Sequence, residues 1–346
     1  MSLGSRERVA VRESSRTRVL VAWTVGLLGL LVVVTFLSLA LGVRPVALAS
    51  VIEALVHPVA GDNDHTVVRE LRVPRTVLGL VAGAALALAG AIMQGLTRNP
   101  LADPGLLGVN AGASLFVVLG ISWFGVTAAT GQIWFAFVGA AAATVVVYVV
   151  GSGRAGPSPV SLTLAGAAVT AAVTSIITLV LLGNLDTLNQ FRFWSVGSLV
   201  GRDLDALVAL APFLVVGLVL ALSLGRALNV LALGDDMASG LGQNVGAARI
   251  VAAIAIVVLC GSATSLAGPI VFVGLVVPHL ARRIAGPDYR WILVLSLLIG
   301  PALLIAADTI GRLVVQPGEL EAGLVVAFLG APVMVALVRA TRTGAL

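Results

Sequence analysis

The sequence predicts an all-α integral membrane protein with about ten transmembrane helices. Of its 346 residues, 59% are hydrophobic and only 11% are charged, and the mean hydropathy is +1.10. A soluble globular protein carries roughly 25% charged residues, so this composition excludes a water-soluble domain. Several uncharged runs also reach the roughly 20 residues that a helix needs to cross a bilayer.

The first uncharged run, residues 19–43, predicts a membrane helix that follows a cytoplasmic segment, 1–18. A secretory signal peptide is the alternative, because arginines precede the run and Ala47-Leu48-Ala49 follows it. The apolar region of a signal peptide is only about 7–15 residues long, which favours the helix. Residues 19–346 are then expected to form a single transmembrane domain.

The remaining spans are predicted from further uncharged runs. These runs are 76–97, 104–153, 155–185, 206–225, 250–281, 291–307 and 322–338. The run 104–153 can hold two helices with a break near 125–132, and 250–281 can hold two with a break at Gly268-Pro269. The seventh helix is expected to begin near Asn244. The sequence leaves the exact boundaries of the seventh and eighth helices open.

Ten spans place both termini on the same side of the membrane. With the termini inside, 14 arginines fall in cytoplasmic segments, Arg154 among them, and 7 fall outside, Arg202 among them. Basic residues are enriched in cytoplasmic loops, so this bias predicts cytoplasmic termini in the cytoplasmic (inner) membrane.

An internal repeat is predicted from two similar segments. Residues 83–92 read GAALALAGAI and residues 261–270 read GSATSLAGPI, with Pro100 and Gly108 matching Pro278 and Gly286 at the same offset. Chance similarity between Ala/Gly-rich helices is the alternative. The preferred interpretation is two related halves, helices 2–5 and 7–10, whose small residues let helices pack closely, as is common in transporters.

Several blocks of the sequence resemble one family of membrane proteins. They are RVPRTVLGLVAGAALALAGAIMQGLTRNPLADPGLLGVNAGAS, FRFWSVGSL, LNVLALGDDMASGLG, GPIVFVGLVVPHLARRIAGPDYRW and AADTIGRLVVQPGELEAGLVVAFLGAP. The chain resembles the FecCD/BtuC-type permeases, the membrane subunits of type II ABC importers for iron-siderophores, haem and vitamin B12. Within that family, the sequence of these blocks is most similar to that of the permeases of enterobactin importers. It departs from the family pattern at Glu321, where proline is usual, and at Tyr289, where histidine is usual.

The resemblance implies a ten-helix permease that works with several partners. These are a second permease subunit (a paralogue or a second copy), two ATP-binding cassette ATPases and an extracytoplasmic siderophore-binding protein. The implied function is import of an Fe(III)-siderophore by alternating access. A permease for haem or a corrinoid is the nearest alternative. The sequence identifies neither the siderophore nor the residues that line the path.

ATP hydrolysis is not expected in this chain, because the sequence contains no lysine and a P-loop requires one. The chain is therefore expected to be a non-catalytic subunit without a cofactor of its own. ATP and magnesium would bind the partner ATPase, and iron would arrive within the siderophore complex. Nucleic acid is not an expected partner, because basic cytoplasmic loops account for the net charge.

The expected ATPase contact is residues 226–249, called here the coupling loop. Its pattern predicts two short helices broken at Gly234, with Asp235 as the N-cap of the second; a solvated loop is the alternative. The family's coupling helices match Leu231, Leu233, Gly234, Asp235, Asp236, Ala238, Leu241 and Gly242.

Three outer arginines are candidates for docking the binding protein. The resemblance assigns this role to Arg72, Arg75 and Arg312, which would face glutamates of the partner. An arginine fork suits carboxylates because it can bind both oxygens. Two alternatives remain: arginines near helix ends often reach to the membrane interface, and Arg312 can pair within the chain with Asp308, four residues earlier.

A polar interruption between the second and third helices predicts a rigid turn. Pro100 and Pro104 end the helix, and Arg98, Asn99 and Asp103 can bind freed backbone groups. We call residues 98–103 the gate turn, because the resemblance implies that Asn99 and Leu101 line a cytoplasmic gate.

Two other functional classes find little support in the residues. An ion-coupled secondary transporter would carry several charged residues within its spans, whereas Asp308 is almost alone. An intramembrane enzyme would need a paired-aspartate, Ser/His or multi-histidine site. His279 lacks partner ligands and is expected to be packed or hydrogen-bonded rather than to bind a metal. Phe193 and Trp194 are expected in an interfacial aromatic belt.

Overall fold

The computed structural model describes residues 3–153, 156–201 and 204–343, so Arg154 and Arg202 lie outside the described residues. The α-helices are α1 (Leu3–Ala40), α2 (Leu48–Val56), α3 (Asn63–Thr66), α4 (Val73–Thr97), α5 (Val109–Phe124), α6 (Ala129–Gly151), α7 (Pro159–Gly183), α8 (Leu185–Ser195), α9 (Leu204–Ser223), α10 (Gly225–Leu231), α11 (Asp235–Gly240), α12 (Val245–Ala267), α13 (Val273–Ala285), α14 (Tyr289–Val314) and α15 (Ala322–Thr343). A π-helical stretch, Val67–Arg72, leads into α4, and a 3-10 turn, Pro104–Leu107, precedes α5. The short antiparallel strands β1 (Ser152–Gly153) and β2 (Gly156–Pro157) join with Ser152 opposite Pro157.

The all-α class is confirmed, and each of the ten predicted spans coincides with a helix of the structure. The total number of helices exceeds ten because short helices, such as α2 and α8, occupy the segments between spans. Seven helices of the described chain are long and apolar enough to cross a membrane. Helix α13 has only 13 residues, or about 20 Å, and cannot cross a hydrocarbon core of about 30 Å alone.

The first helix is longer than the bilayer requires. Helix α1 runs unbroken for 38 residues, a length of about 57 Å. No break separates residues 3–18 from the first span, so the predicted cytoplasmic segment continues the helix over its described part. The helix ends at Ala40, before Gly42 and Pro45, rather than at the end of the uncharged run.

The predicted helix breaks occur where the sequence places them. Gly125, in the left-handed conformation, ends α5, and α6 begins at Ala129. Helix α12 begins after Asn244, whose side chain accepts a hydrogen bond from the Ala247 N–H and so acts as the N-cap. It ends at Ala267, and Gly268-Pro269 starts the irregular link to α13.

Helix α4 lies at the centre of the bundle and is buried along most of its length. It packs antiparallel to α14, since Arg75 contacts Asp308 at one end and Gly95 lies next to Tyr289 at the other. A Cβ added at Gly83 would lie 2.7 Å from the Gly300 carbonyl oxygen, so the two backbones touch there. Small residues therefore permit this close approach, as the repeat segment predicts.

The predicted halves share an order of helix lengths. In each half a long helix is followed by a short one, α5 or α13, and then by two long ones. The matched prolines, however, are not equivalent: Pro100 lies in a turn after α4, whereas Pro278 lies inside α13. The similarity of residues 83–92 and 261–270 thus does not extend to the helix ends.

Candidate functional site

The two ends of the bundle carry the candidate functional residues. We call the end that holds the beginning of α4 and the end of α14 the arginine end. The opposite end holds the gate turn and the coupling loop, and we call it the coupling end. The fold thus separates the predicted docking residues from the predicted ATPase contacts by the length of α4.

The three predicted docking arginines converge at the arginine end, and all three are buried. Arg72 donates hydrogen bonds to the carbonyl oxygens of Leu39 and Ala40, at 2.7 and 2.8 Å, and to that of Arg44. Arg312 donates to the carbonyl oxygens of Ser38 and Leu41, both at 3.0 Å. These two arginines therefore bind carbonyls at the end of α1 that have no partner within the helix.

Arg75 forms an ion pair inside the protein. Its guanidinium contacts both carboxylate oxygens of Asp308 at 2.8–2.9 Å and a carboxylate oxygen of Glu319 at 2.6 Å. Arg312 Nε lies 3.4 Å from the second oxygen of Asp308. This internal Asp308–Arg312 contact is one of the alternatives that their spacing of four residues allows.

Burial changes how the arginine cluster (Arg72, Arg75 and Arg312) can meet a partner. Its guanidinium groups are engaged within the chain and do not project from the surface. They line a cavity of about 390 Å³, together with Arg44, Glu70 and Glu319. A docking protein would therefore meet them through this cavity. Arg69, which precedes the lining residue Glu70 in sequence, is exposed. Their docking role stays a prediction.

The coupling loop forms the two predicted short helices, α10 and α11, with Gly234 between them. The predicted N-cap is wrong, because Gly234 (φ 107°) holds that position and Asp235 is the first residue of α11. Glycine takes this positive φ without a steric penalty, which aspartate would incur.

Burial divides the predicted coupling residues into two sets. Leu231 and Ala238 are buried and attach the loop to the bundle, whereas Leu233 and Leu241 are exposed. Met237, which was not among the predicted residues, is exposed as well. Met237 lies in α11, Leu233 and Leu241 lie in the turns before and after it, and Asp236 is also exposed. Gly242 (φ 81°) ends the segment with a turn. Exposed apolar side chains close in sequence to an exposed carboxylate suit contact with another protein.

A turn follows α4 where the prolines predict one, and hydrogen bonds to its own side chains shape it. The side-chain oxygen of Asn99 accepts a hydrogen bond from the Leu101 N–H at 2.9 Å, and Leu101 itself is exposed. Asp103 accepts from the Gly105 N–H at 2.8 Å and starts the 3-10 turn. Burial raises the pKa of this carboxyl above its ordinary value.

The gate turn and the coupling loop are joined by ion pairs that sequence reasoning missed. Arg98 contacts Asp235 and also donates from Nε to the Leu231 carbonyl oxygen at 2.8 Å. Arg249, in α12, contacts the other oxygen of Asp235 at 2.7 Å. No local spacing relates Arg98 to Asp235, which is 137 residues further along the chain. The opposite charges of Arg98 and Asp235 were the one feature of the sequence that could have suggested this contact.

A second connection joins the coupling loop to the beginning of α14. Asn229 donates a hydrogen bond to Asp288 at 2.7 Å and accepts one from the Tyr289 N–H at 2.7 Å. Hydrogen bonding from Arg290 lowers the pKa of Asp288 to about 2. The Tyr289 hydroxyl, at a departure from the family pattern, accepts from Arg282 at 3.0 Å. Both ends of the coupling loop are thus attached to the bundle by polar contacts.

The remaining candidates, His279, Phe193 and Trp194, lie in surroundings that do not form a binding or catalytic site among the described residues. His279 is half-buried in α13, and no group of three or more His, Cys, Asp or Glu side chains suited to a metal occurs in the described part of the chain. Phe193 is exposed and stacks under the guanidinium of Arg192, whereas Trp194 is buried against Phe191. The described geometry therefore leaves the two ends of the bundle as the candidate functional surfaces.

Comparison with known proteins identifies the family. Residues 30–340 match the FecCD transport family. The chain belongs to this family. It is 51% identical over 323 residues to the ferric enterobactin transport system permease protein FepD of Escherichia coli (strain K12), covering 92% of this chain and 96% of that protein. It is 43% identical to the probable siderophore transport system permease protein YfiZ of Bacillus subtilis (strain 168), covering 81% and 84%.

A solved structure supports the same conclusion. A chain described as a metal-chelate type ABC transporter in an inward-facing conformation superposes with a TM-score of 0.80 at 25% identity. The superposition covers 92% of this chain and 99% of the other. The protein is thus a multi-pass membrane component of a transport system, with the family's permease fold.

Proposed function

We propose that this chain is the membrane permease subunit of an ABC importer that moves an Fe(III)-siderophore across the cytoplasmic membrane by alternating access. The observation that carries the proposal is the end-to-end similarity to a ferric enterobactin permease, over 92% of this chain. The same similarity favours a siderophore over haem or a corrinoid as the cargo.

The energy source in this proposal is a pair of ATPase subunits bound at the coupling end. The chain has no lysine and hence no P-loop of its own. ATP and magnesium belong to those partners, and iron enters and leaves as part of the siderophore complex. We assign contact with an ATPase to the exposed side chains of Leu233, Met237 and Leu241.

The proposed orientation rests on the distribution of arginines. The 14-to-7 bias supports a cytoplasmic coupling end with both chain termini on that side. The arginine end then faces outward, towards an extracytoplasmic siderophore-binding protein. A carboxylate of that protein would enter the cavity beside Arg72, Arg75 and Arg312, while exposed Arg69 would guide its approach. A second permease subunit completes the path.

Reconstitution tests this proposal directly. The chain would be co-expressed with its candidate ATPase, partner permease and binding protein, purified and placed in proteoliposomes. We expect ATP-dependent uptake of ⁵⁵Fe-siderophore, and ATP hydrolysis that rises when loaded binding protein is added. A panel of siderophores, haemin and cobalamin identifies the cargo. Uptake driven by an ion gradient without any ATPase would contradict the proposal.

The gate assignment leads to a separate prediction. Replacing Asn99 or Leu101 with alanine should reduce uptake per ATP hydrolysed, because the first change removes the bond that shapes the turn and the second removes its exposed apolar side chain. The effect is measured as the ratio of transported iron to released phosphate. Leu28→Ala, an exposed leucine of α1, is the matched control. Unchanged transport and coupling in both gate variants would show that these residues do not form the gate.

A further inference from the structure

One carboxylate holds together three segments of the coupling end. Asp235 begins α11, and its two oxygens contact Arg98 at the end of α4 and Arg249 near the beginning of α12. Arg98 adds a hydrogen bond to the Leu231 carbonyl oxygen, at the end of α10. The gate turn is therefore attached directly to the loop that separates α10 from α11.

Helix α11 is otherwise lightly attached to the bundle. It has six residues, of which Ala238 is the buried one. The glycines that flank it, Gly234 and Gly242, have positive φ, and a Cβ at either would meet nothing within 4 Å. Such a short helix between two glycines can shift as a unit, so its polar contacts decide which neighbours shift with it.

The contacts of Asp235 can orient α11 without adding much to the stability of the fold. The side chains of Asp235 and Arg98 are 43% and 36% exposed, and ion pairs this accessible to water contribute little to folding stability. Two guanidinium groups share one carboxylate, so removal of Asp235 leaves two like charges facing each other. Removal of either arginine leaves one pair intact.

The backbone of Arg98 supports the same conclusion. Arg98 ends α4 in the left-handed conformation, with φ 52° and ψ 28°, a region that non-glycine residues rarely occupy. Such a conformation persists where side-chain contacts hold it, and the contacts with Asp235 and Leu231 do so here. A movement of α11 that pulls on Arg98 therefore acts on the residue next to Asn99.

We propose that Asp235 is the positioning residue that transmits movement of α11 to the gate turn through Arg98, with Arg249 holding the carboxylate in place. This inference rests on the proposed function, in which an ATPase moves α11. When α11 moves, the Asp235–Arg98 pair carries the end of α4 with it, and the gate turn changes its exposure.

The test follows the gate turn in the complete transporter. Cys260 is the chain's single cysteine and is buried, so a Leu101→Cys variant adds one accessible thiol to this chain. The assembled complex in lipid nanodiscs is treated with a charged maleimide, with and without ATP and vanadate, and labelling of position 101 is measured by mass spectrometry. We expect ATP and vanadate to change the labelling rate of the parent Leu101→Cys complex at least about five-fold.

Variants of the three charged residues distinguish a loss of transmitted movement from a loss of folding. Asp235→Asn should abolish the nucleotide-dependent change in labelling, and Asp235→Glu should retain the change because it keeps both contacts. ATP hydrolysis is measured for each variant to show that the complex has assembled. Arg98→Gln should behave as Asp235→Asn, whereas Arg249→Gln should weaken the change without abolishing it. If Asp235→Asn fails to assemble, Arg98→Gln answers the same question with the Asp235–Arg249 pair intact.

Three negative results have different meanings. A wild-type complex that takes up no siderophore in the presence of ATP would contradict the proposed function itself. A wild-type complex that transports, together with a Leu101→Cys complex whose labelling does not change with nucleotide, would contradict the movement of the gate turn. A parent complex that responds, together with an Asp235→Asn or Arg98→Gln complex that responds equally, would overturn the role of Asp235 and leave the proposed function standing.

Discussion

Replacing Asp308 with asparagine is expected to destabilise the protein by about 3–5 kcal/mol, because it removes one partner of a buried ion pair. Asp308 is 2% exposed and lies between Arg75 and Arg312, which are both buried. Without its charge, two guanidinium groups remain close together with little solvent to screen them. The change should appear as a lower temperature of unfolding of the purified protein in detergent, with less folded protein recovered from membranes.

Glu319 supplies a matched control for Asp308. It contacts the same guanidinium, that of Arg75, but its side chain is 34% exposed. Glu319→Gln should therefore cost only about 0–1 kcal/mol, as partly solvated ion pairs do. In the double variant Arg75→Gln/Asp308→Asn, part of the stability should return because one unpaired charge is gone. Equal losses in Asp308→Asn and Glu319→Gln would contradict the importance of burial at this site.

The spans were predictable because the bilayer restricts what a chain can do inside it. Backbone groups in hydrocarbon must bond within the helix, so long uncharged runs become helices regardless of their neighbours. The break at Gly268-Pro269 and the start of α12 after Asn244 follow from local chemistry in the same way. Helix α8 was missed because Asp186 and Arg192 interrupt its apolar pattern, and a span was the only kind of helix that the uncharged runs could reveal.

Some features of the two candidate surfaces could be predicted from the sequence, whereas the contacts between distant segments could not. The proximity of Arg72 to Arg75 and the two helices of the coupling loop are visible in short segments of sequence. The burial of Arg72 and Arg312 depends on their contacts with the end of α1. That segment lies more than thirty residues before Arg72 and 271–274 residues before Arg312. The Arg98–Asp235 contact is likewise a product of tertiary packing, so no local pattern contains it.

The error at Asp235 has a specific physical cause. Aspartate is a favourable N-cap, and the residue follows a glycine, so local preference pointed to a cap. In the folded chain Gly234 takes the positive φ at that position, and the carboxylate of Asp235 is then free to reach Arg98 and Arg249 instead. Charge pairing between distant segments thus determined the role of the side chain.

A glycine contact in the centre of the bundle leads to the second large prediction. Gly90 of α4 faces Gly274 of α13 so closely that a Cβ at position 90 would lie 1.9 Å from the Gly274 carbonyl oxygen and 2.4 Å from its Cα. Both obstacles are backbone atoms, which cannot rotate away. Gly90→Ala must therefore separate the two helices and disturb the hydrogen bond from Gln94 to the Leu275 carbonyl oxygen, 3.1 Å long.

We expect Gly90→Ala to cost about 1–3 kcal/mol, the usual penalty for overpacking a core, and to lower transport further because α13 and the Arg282–Tyr289 contact shift with it. The measurement is the unfolding temperature of the detergent-purified protein, followed by uptake in proteoliposomes. Gly29→Ala is the matched control, since an added Cβ there meets nothing within 4 Å and alanine favours helix. If both variants unfold at the same temperature, α4 and α13 do not need backbone contact at Gly90. The close packing that the small residues predict would then not be what holds these two helices together.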